Sequence, residues 1–349
     1  MKVQQLIRPE ILRVTPYRSA REEYRGKEAI WLDANENAYD IHQNGLNRYP
    51  DPLQWELKQR IAAWKGVSAD QIFLGNGSDE AIDLLIRATC RPFRDEILIT
   101  PPTYGMYQVL AEIQGVGVQR VVLNDRFQLD LPRILSAISF TTRLIFLCSP
   151  NNPTGNVLQR EDVDTLLKNF PGLVVIDEAY IDFADDPGWL AGLNDHPNLV
   201  ILQTFSKALG LAGARLGMAF AHREIIAVLN KIKFPYNVNE LTLAAAHRAL
   251  DQLPAMQRTL EYIREQRQWL YVRLKAHPDV VTVYPSQANF LLVRFRHAAS
   301  ILRHLLQRGI VVRDRSRLPQ CEGCLRITVG TEEENRLLIQ ALNEWELVQ

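Results

Sequence analysis

The sequence predicts an α/β protein with a mostly parallel sheet, followed by a second, smaller domain. Three observations carry that reading. Short continuous apolar runs bounded by turn residues recur between helical patterns, the texture changes beyond Lys231, and 349 residues are more than one hydrophobic core usually organises.

Taken in order, Leu53, Leu57, Ile61 and Trp64 stand at near-helical spacing before a first run at 72–74. Helical patterns at 78–88, 104–114 and 161–170 alternate with runs at 96–100, 118–122, 144–148, 174–177, 200–204 and 216–220. Runs that are continuous rather than alternating suit strands buried on both faces. Strands that alternate with helices make a parallel sheet. Beyond Lys231, a helical stripe at 239–250 continues through Leu260, Ile263, Leu270 and Leu274, and a β-α-β-β-α order is expected over 280–348. The division expected is an N-terminal segment at 1–28, a large domain at 29–255 and a small domain at 256–349.

Composition narrows the function. Forty Lys plus Arg balance forty Asp plus Glu, so no overall field draws the chain to nucleic acid or an anionic membrane, and any anion must be bound locally. No apolar run follows Lys2, and the weakly polar stretch at 208–221 is broken by Arg215, short of the ~18 apolar residues a membrane span needs. A cytoplasmic protein is expected. Four cysteines are too few for a disulfide framework in a chain this long. Cys321 and Cys324 form a lone CxxC with no further ligand pair nearby, so they are read as incidental thiols beside a strand and no metal is expected.

Four motifs carry chemistry. GNGSDE at 75–80 follows a strand and opens a helix, which leaves outward N–H groups that suit a phosphate, or else makes a plain turn capped by Ser78 or Asp79. It is not a GxGxxG fingerprint, since Glu80 stands at the last glycine, and the chain has no GxxxxGK[ST]. DEAY at 177–180 ends a buried run, where open α/β sheets place ligands. Its acid suits a metal or a cationic ring nitrogen, and the missing P-loop disfavours the metal. Lys207 lies in a Ser- and Gly-rich loop, where it is either a solvated surface residue or a lysine placed to form a Schiff base. NNPTG at 151–155 reads as a strand-end turn.

Together, SPNNPTG, DEAY and SKALGLAGAR, in that order, resemble the fold type I pyridoxal-phosphate enzymes, and among them the aminotransferases. A finer likeness, to the branch acting on histidinol phosphate, is carried by ANEN at 34–37, NRYP at 47–50, PPTYGMY at 101–107, GIVVRD at 309–314 and GCLRITVG at 323–330. It spans residues 12–342. The resemblance implies a three-layer αβα large domain, a smaller α+β domain, a homodimer, and pyridoxal 5'-phosphate as cofactor. It implies histidinol phosphate and 2-oxoglutarate or glutamate as substrates.

Residue by residue, the resemblance makes Lys207 the Schiff-base lysine and Asp177 the partner of the protonated pyridine nitrogen, which lets the ring withdraw electrons. Asn152 and Tyr180 would bond the ring's phenolic oxygen, and Tyr104 would stack on its face. The phosphate would be held by the backbone of Gly77, Ser78 and Asp79, by Thr204, Ser206 and Arg215, and by Tyr49 of the partner subunit. Tyr17, Asn35, Arg313 and Arg326 would face the substrate. An aromatic amino-acid aminotransferase or a threonine-phosphate decarboxylase would keep Lys207 and Asp177 on the same scaffold. A non-catalytic ligand sensor would need an attached DNA-binding module, for which no room is expected before Trp31.

Overall fold

A computed structural model describes residues 3–17, 20–23 and 30–346; of the expected N-terminal segment, 1–2, 18–19 and 24–28 lie outside the described residues, as do residue 29 of the expected large domain and 347–349 of the expected small domain. Seven strands, β1 (Ile72–Asn76), β2 (Glu96–Ile99), β3 (Gly117–Arg120), β4 (Thr142–Cys148), β5 (Leu173–Asp177), β6 (Leu199–Thr204) and β7 (Leu216–Ala221), form one sheet in the order β1-β7-β6-β5-β4-β2-β3. Neighbours pair in parallel except at β7, which runs antiparallel to both β1 and β6. A parallel neighbour would need a long crossover, whereas β7 follows β6 after a loop and simply folds back.

The continuous apolar runs are explained by two cores. In β4, Ile145 and Leu147 face one core while Leu144 and Phe146 face the other, and β5 and β6 divide in the same way. Leu57 and Ile61 of helix Trp55–Lys65, Val163 and Leu166 of helix Arg160–Asn169, and Leu243 and Ala246 of helix Glu240–Asp251 cover the first face. Ile82 and Leu85 of helix Ser78–Thr89, Tyr107 of helix Met106–Ile113, and Ile225 and Leu229 of helix Arg223–Ile232 cover the second. Each fully buried aliphatic side chain contributes roughly 1.5–3 kcal/mol relative to exposure. The result is three layers.

The C-terminal part differs in one respect from the expected β-α-β-β-α order. Strands β8 (Val280–Val283) and β9 (Phe290–Phe295) both precede helix Ala298–Gln307, and β10 (Arg313–Asp314) and β11 (Cys324–Thr328) follow it. The four strands are antiparallel, in the order β10-β11-β9-β8. The expected single first strand is a hairpin, because Pro285 and Ser286 interrupt the apolar pattern with a turn. Helix Leu253–Ala276 links the two cores: Leu253 packs on the large one, and Leu270 and Leu274 belong to the small one.

The ends of β1, β4, β5 and β6 and the start of β7 share one edge of the sheet. That edge carries Asn76, Cys148, Asp177, Thr204 and Leu216.

Candidate active site

At this edge the loop after β1 lies directly on β7. Gly77 has φ 72°, in the left-handed region, and its N–H donates to the carbonyl oxygen of Arg215 at 2.7 Å. A Cβ at Gly77 would stand 2.8 Å from Arg215 Nη2, and one at Gly217 would stand 2.1 Å from the nitrogen of Ser78. Two glycines therefore permit the approach. Gly77 occupies the N-cap of helix Ser78–Thr89 and no side chain caps it, which corrects the reading of a turn capped by Ser78 or Asp79. The first N–H groups of a helix have no intrahelical partner, so this terminus offers them to an anion.

The floor is Asp177. Its Oδ2 accepts from Tyr107 Oη at 2.6 Å and its Oδ1 from Ala179 N–H at 3.1 Å. Burial pushes this carboxyl up to about 6, against the pull of those two bonds. Tyr107, a residue sequence reading missed, is itself fixed by stacking on Phe146 at 4.8 Å. It closes the PPTYGMY motif, but its place in a helical pattern gives it the look of an ordinary core aromatic. Glu178 turns away, accepting from Trp189 N–H and Gln203 Nε2 at 2.7 and 2.9 Å. Only one acid of the pair therefore faces the cavity.

The loop between β6 and β7 brings in Lys207, whose Nζ stands 5.7 Å from the centroid of the Tyr180 ring. Burial and the charges of Arg326 and Arg215 lower its pKa, with Asp177 and Asp79 opposing. The hydroxyl of Thr204 accepts from Ser206 N–H at 3.1 Å and shapes the start of the loop. At the loop's end, Arg215 reaches back within 3.9 Å of Asp79, whose other oxygen accepts from Tyr104 Oη at 3.1 Å. Across the cavity, Asn152 Oδ1 accepts from Arg326 Nη1 at 2.5 Å.

Gly77, Ser78, Asp79, Tyr104, Asn152, Asp177, Tyr180, Thr204, Ser206, Lys207 and Arg215 all line a single cavity, together with Cys148, Ala179 and Ala212, which sequence reading did not name. Arg326 adjoins it through Asn152, and Arg313 lies opposite Arg326 in the β10–β11 pairing. Tyr17, Asn35 and Tyr49 are exposed and do not line it within this chain. Tyr49 stacks on Tyr236 at 4.5 Å, and its N–H donates to Glu36 Oε1 at 2.6 Å. Among the described residues no group of three or more His, Cys, Asp or Glu is placed to hold a metal ion.

A lysine with a depressed pKa facing a buried carboxylate, beside an anion-binding helix terminus cleared by glycines, is the equipment of an enzyme that works through a phosphorylated carbonyl cofactor. Residues 23–342 match the aminotransferase class I and II family, and the chain belongs to it. It is 51% identical to the histidinol-phosphate aminotransferase of Cytophaga hutchinsonii over 97% of this chain and 98% of that protein. The crystal structure of histidinol-phosphate aminotransferase from Sinorhizobium meliloti in complex with pyridoxal-5'-phosphate superposes with a TM-score of 0.79 at 28% identity, over 86% of this chain and 83% of that one. The L-threonine-O-3-phosphate decarboxylase from Porphyromonas gingivalis superposes with a TM-score of 0.75 at 26% identity, over 86% and 91%. The scaffold alone thus does not select the reaction.

Proposed function

We propose that the protein is a pyridoxal 5'-phosphate-dependent aminotransferase that exchanges the amino group between L-histidinol phosphate and 2-oxoglutarate, yielding 3-(imidazol-4-yl)-2-oxopropyl phosphate and L-glutamate in histidine biosynthesis. The observation that carries the substrate reading is the pair Arg313 and Arg326, opposed on β10 and β11 with no ion pair among the described residues, with Arg326 joined to the cavity wall through Asn152. Planar guanidinium groups suit the phosphate of one substrate and the carboxylates of the other. Full-length likeness to relatives of that activity supports the same reading.

The residues present fit the cofactor. The glycine-cleared backbone at Gly77, Ser78 and Asp79 would hold its phosphate with Thr204, Ser206 and Arg215. Asp177 would face the ring nitrogen, Asn152 and Tyr180 the phenolic oxygen, Tyr104 the ring face, and Lys207 would hold the aldehyde carbon. When bound, pyridoxal 5'-phosphate supplies an electron-withdrawing ring for loss of the substrate's α proton. Lys207 Nζ would take that proton from the substrate's Cα and pass it to the cofactor's aldehyde carbon, because its lowered pKa enlarges the neutral fraction able to accept. Asp177 keeps the ring nitrogen charged. Arg326, fixed on Asn152, orients the substrate's anionic end.

The working assembly is a homodimer in which Tyr49 of the partner subunit completes each phosphate site. Support comes from Tyr49 standing outside its own chain's cavity, and from exposed apolar side chains on the same segment, Ile30 at 89% and Leu32 at 86%. Residues 29–255 and 256–349 serve as its large and small domains. Among the described residues no helix is long and apolar enough to cross a membrane. The biosynthetic reaction proposed here, between small dissolved molecules, is what supports a cytoplasmic enzyme.

The test is the amino-donor half-reaction in single-turnover mode. Histidinol phosphate should convert far faster at low concentration than histidinol, aromatic amino acids or threonine phosphate. Preference for an aromatic amino acid, or release of carbon dioxide from threonine phosphate, overturns the reading.

A further inference from the structure

Arg315 lies one residue beyond β10. Its N–H donates to the carbonyl oxygen of Cys324 at 2.9 Å, which extends the pairing in which Arg313 faces Arg326. Residues two apart on a strand share a face, and directly opposed residues have Cβ atoms about 4.5–5.5 Å apart. Leu325 and Ile327 of β11 point into the small-domain core, so Arg326 points the other way, toward Asn152. Arg313 and Arg315 share that outer face. Three guanidinium groups are thereby crowded on one ribbon.

Crowded cations are unfavourable unless an anion lies among them. Among the described residues, Arg315 donates no side-chain hydrogen bond and has no ion pair, although it is half-buried. Its Nε is buried without a partner, and so is that of Arg326. The groups that act most strongly on Arg315 are Arg326, Arg313, Tyr180 and Cys321, none of which is a carboxylate. Its chain neighbour Asp314 feels the charges of Arg315 and Arg317 but forms no ion pair with either, and its Oδ1 accepts from Ser316 N–H at 2.8 Å. Burial and the two arginines draw the pKa of Arg315 down to about 10, which still leaves it charged at neutral pH.

We infer that Arg315 is a specificity-determining residue: its guanidinium supplies the additional positive charge that makes the site favour a dianionic phosphate monoester over a carboxylate. This rests on the reading of histidinol phosphate as donor. Arg313 and Arg326 serve either anion, whereas a third cation rewards the second negative charge that a phosphate group carries and a single carboxylate does not.

The test uses the cofactor-loaded enzyme and the variants Arg315→Gln and Arg315→Lys. Histidinol phosphate, histidinol and glutamate each drive one half-reaction. Arg315→Gln should raise the apparent Kd for histidinol phosphate about 10- to 100-fold with its maximal rate unchanged. Histidinol and glutamate should react as with the parent protein, and Arg315→Lys should recover part of the loss. Inorganic phosphate should compete with glutamate in the parent protein and much less in Arg315→Gln. A uniform loss with all three donors makes Arg315 a packing residue, and no change with any makes it a spectator; either overturns the inference. If the parent protein itself shows no preference for histidinol phosphate over histidinol, the proposed function fails instead.

Discussion

Asp177 is buried at the end of β5 and held by two hydrogen bonds, so its negative charge destabilises the cofactor-free fold. Its carboxyl, raised from 3.8 to about 6, binds a proton more tightly folded than unfolded; the stability this contributes is full below the unfolded value and is lost as pH rises through about 6. Asp177→Asn should therefore stabilise the cofactor-free protein at pH 8 by up to about 3 kcal/mol and change it little near pH 4. Tyr107 can still donate to the amide oxygen. Urea unfolding of both proteins at the two pH values checks this, and a variant less stable than its parent at pH 8 would refute it. At this scale Lys207 and Asp177 were legible because each stands in a short motif at the end of an apolar run. Tyr107 was not, since a tyrosine inside a helical pattern looks like core, and core is also what it is. Arg315 was hidden by company: with Asp314 and Arg317 it resembles a solvated charge run, and only pairing to Cys324 shows its face.

Between elements, the contact that shapes the proposed phosphate site is β7 against the turn after β1. In Gly217→Ala the new Cβ would meet the Ser78 nitrogen at 2.1 Å and the Gly77 carbonyl carbon at 2.2 Å, and both are backbone, so the loop must move. Overpacking of this kind costs about 1–3 kcal/mol, and here it displaces the N–H groups offered to phosphate. Cofactor titration should show weaker binding together with a lower Tm. Gly213→Ala, with no heavy atom within 4 Å of the added carbon, is the control and should leave both unchanged. Equal effects from the two substitutions would show that the close approach is not what matters. Six of the seven strands could be read from short apolar runs, and β3, Gly117–Arg120, from a mixed one at the sheet's edge, but the reversal of β7 could not, because hydrophobic periodicity carries no direction. The β8–β9 hairpin was read as one strand for a related reason: both arms are short, and the turn between them is only a few residues long.

For the whole molecule, shared sites make a sharp prediction. Mixing inactive Tyr49→Ala with inactive Lys207→Ala and allowing subunits to exchange should restore about a quarter of the sites, since each mixed dimer contains one site free of both changes. No recovered activity after exchange, or an active monomer by light scattering, refutes shared sites. The N-terminal arm, clasped by Glu36 accepting from Arg21 at 2.6 Å and from Arg48 at 2.9 Å, would then be built to present Tyr49 outward. Every residue lining the cavity precedes Leu216, and so does all of the sheet except β7, whereas the arginine ribbon begins only at Arg313. About a hundred residues separate the two, which at 5–20 residues per second is roughly 5–20 s of synthesis. Within each growing subunit, the ribosome finishes this pocket before it has made any of the three arginines proposed to choose among substrates.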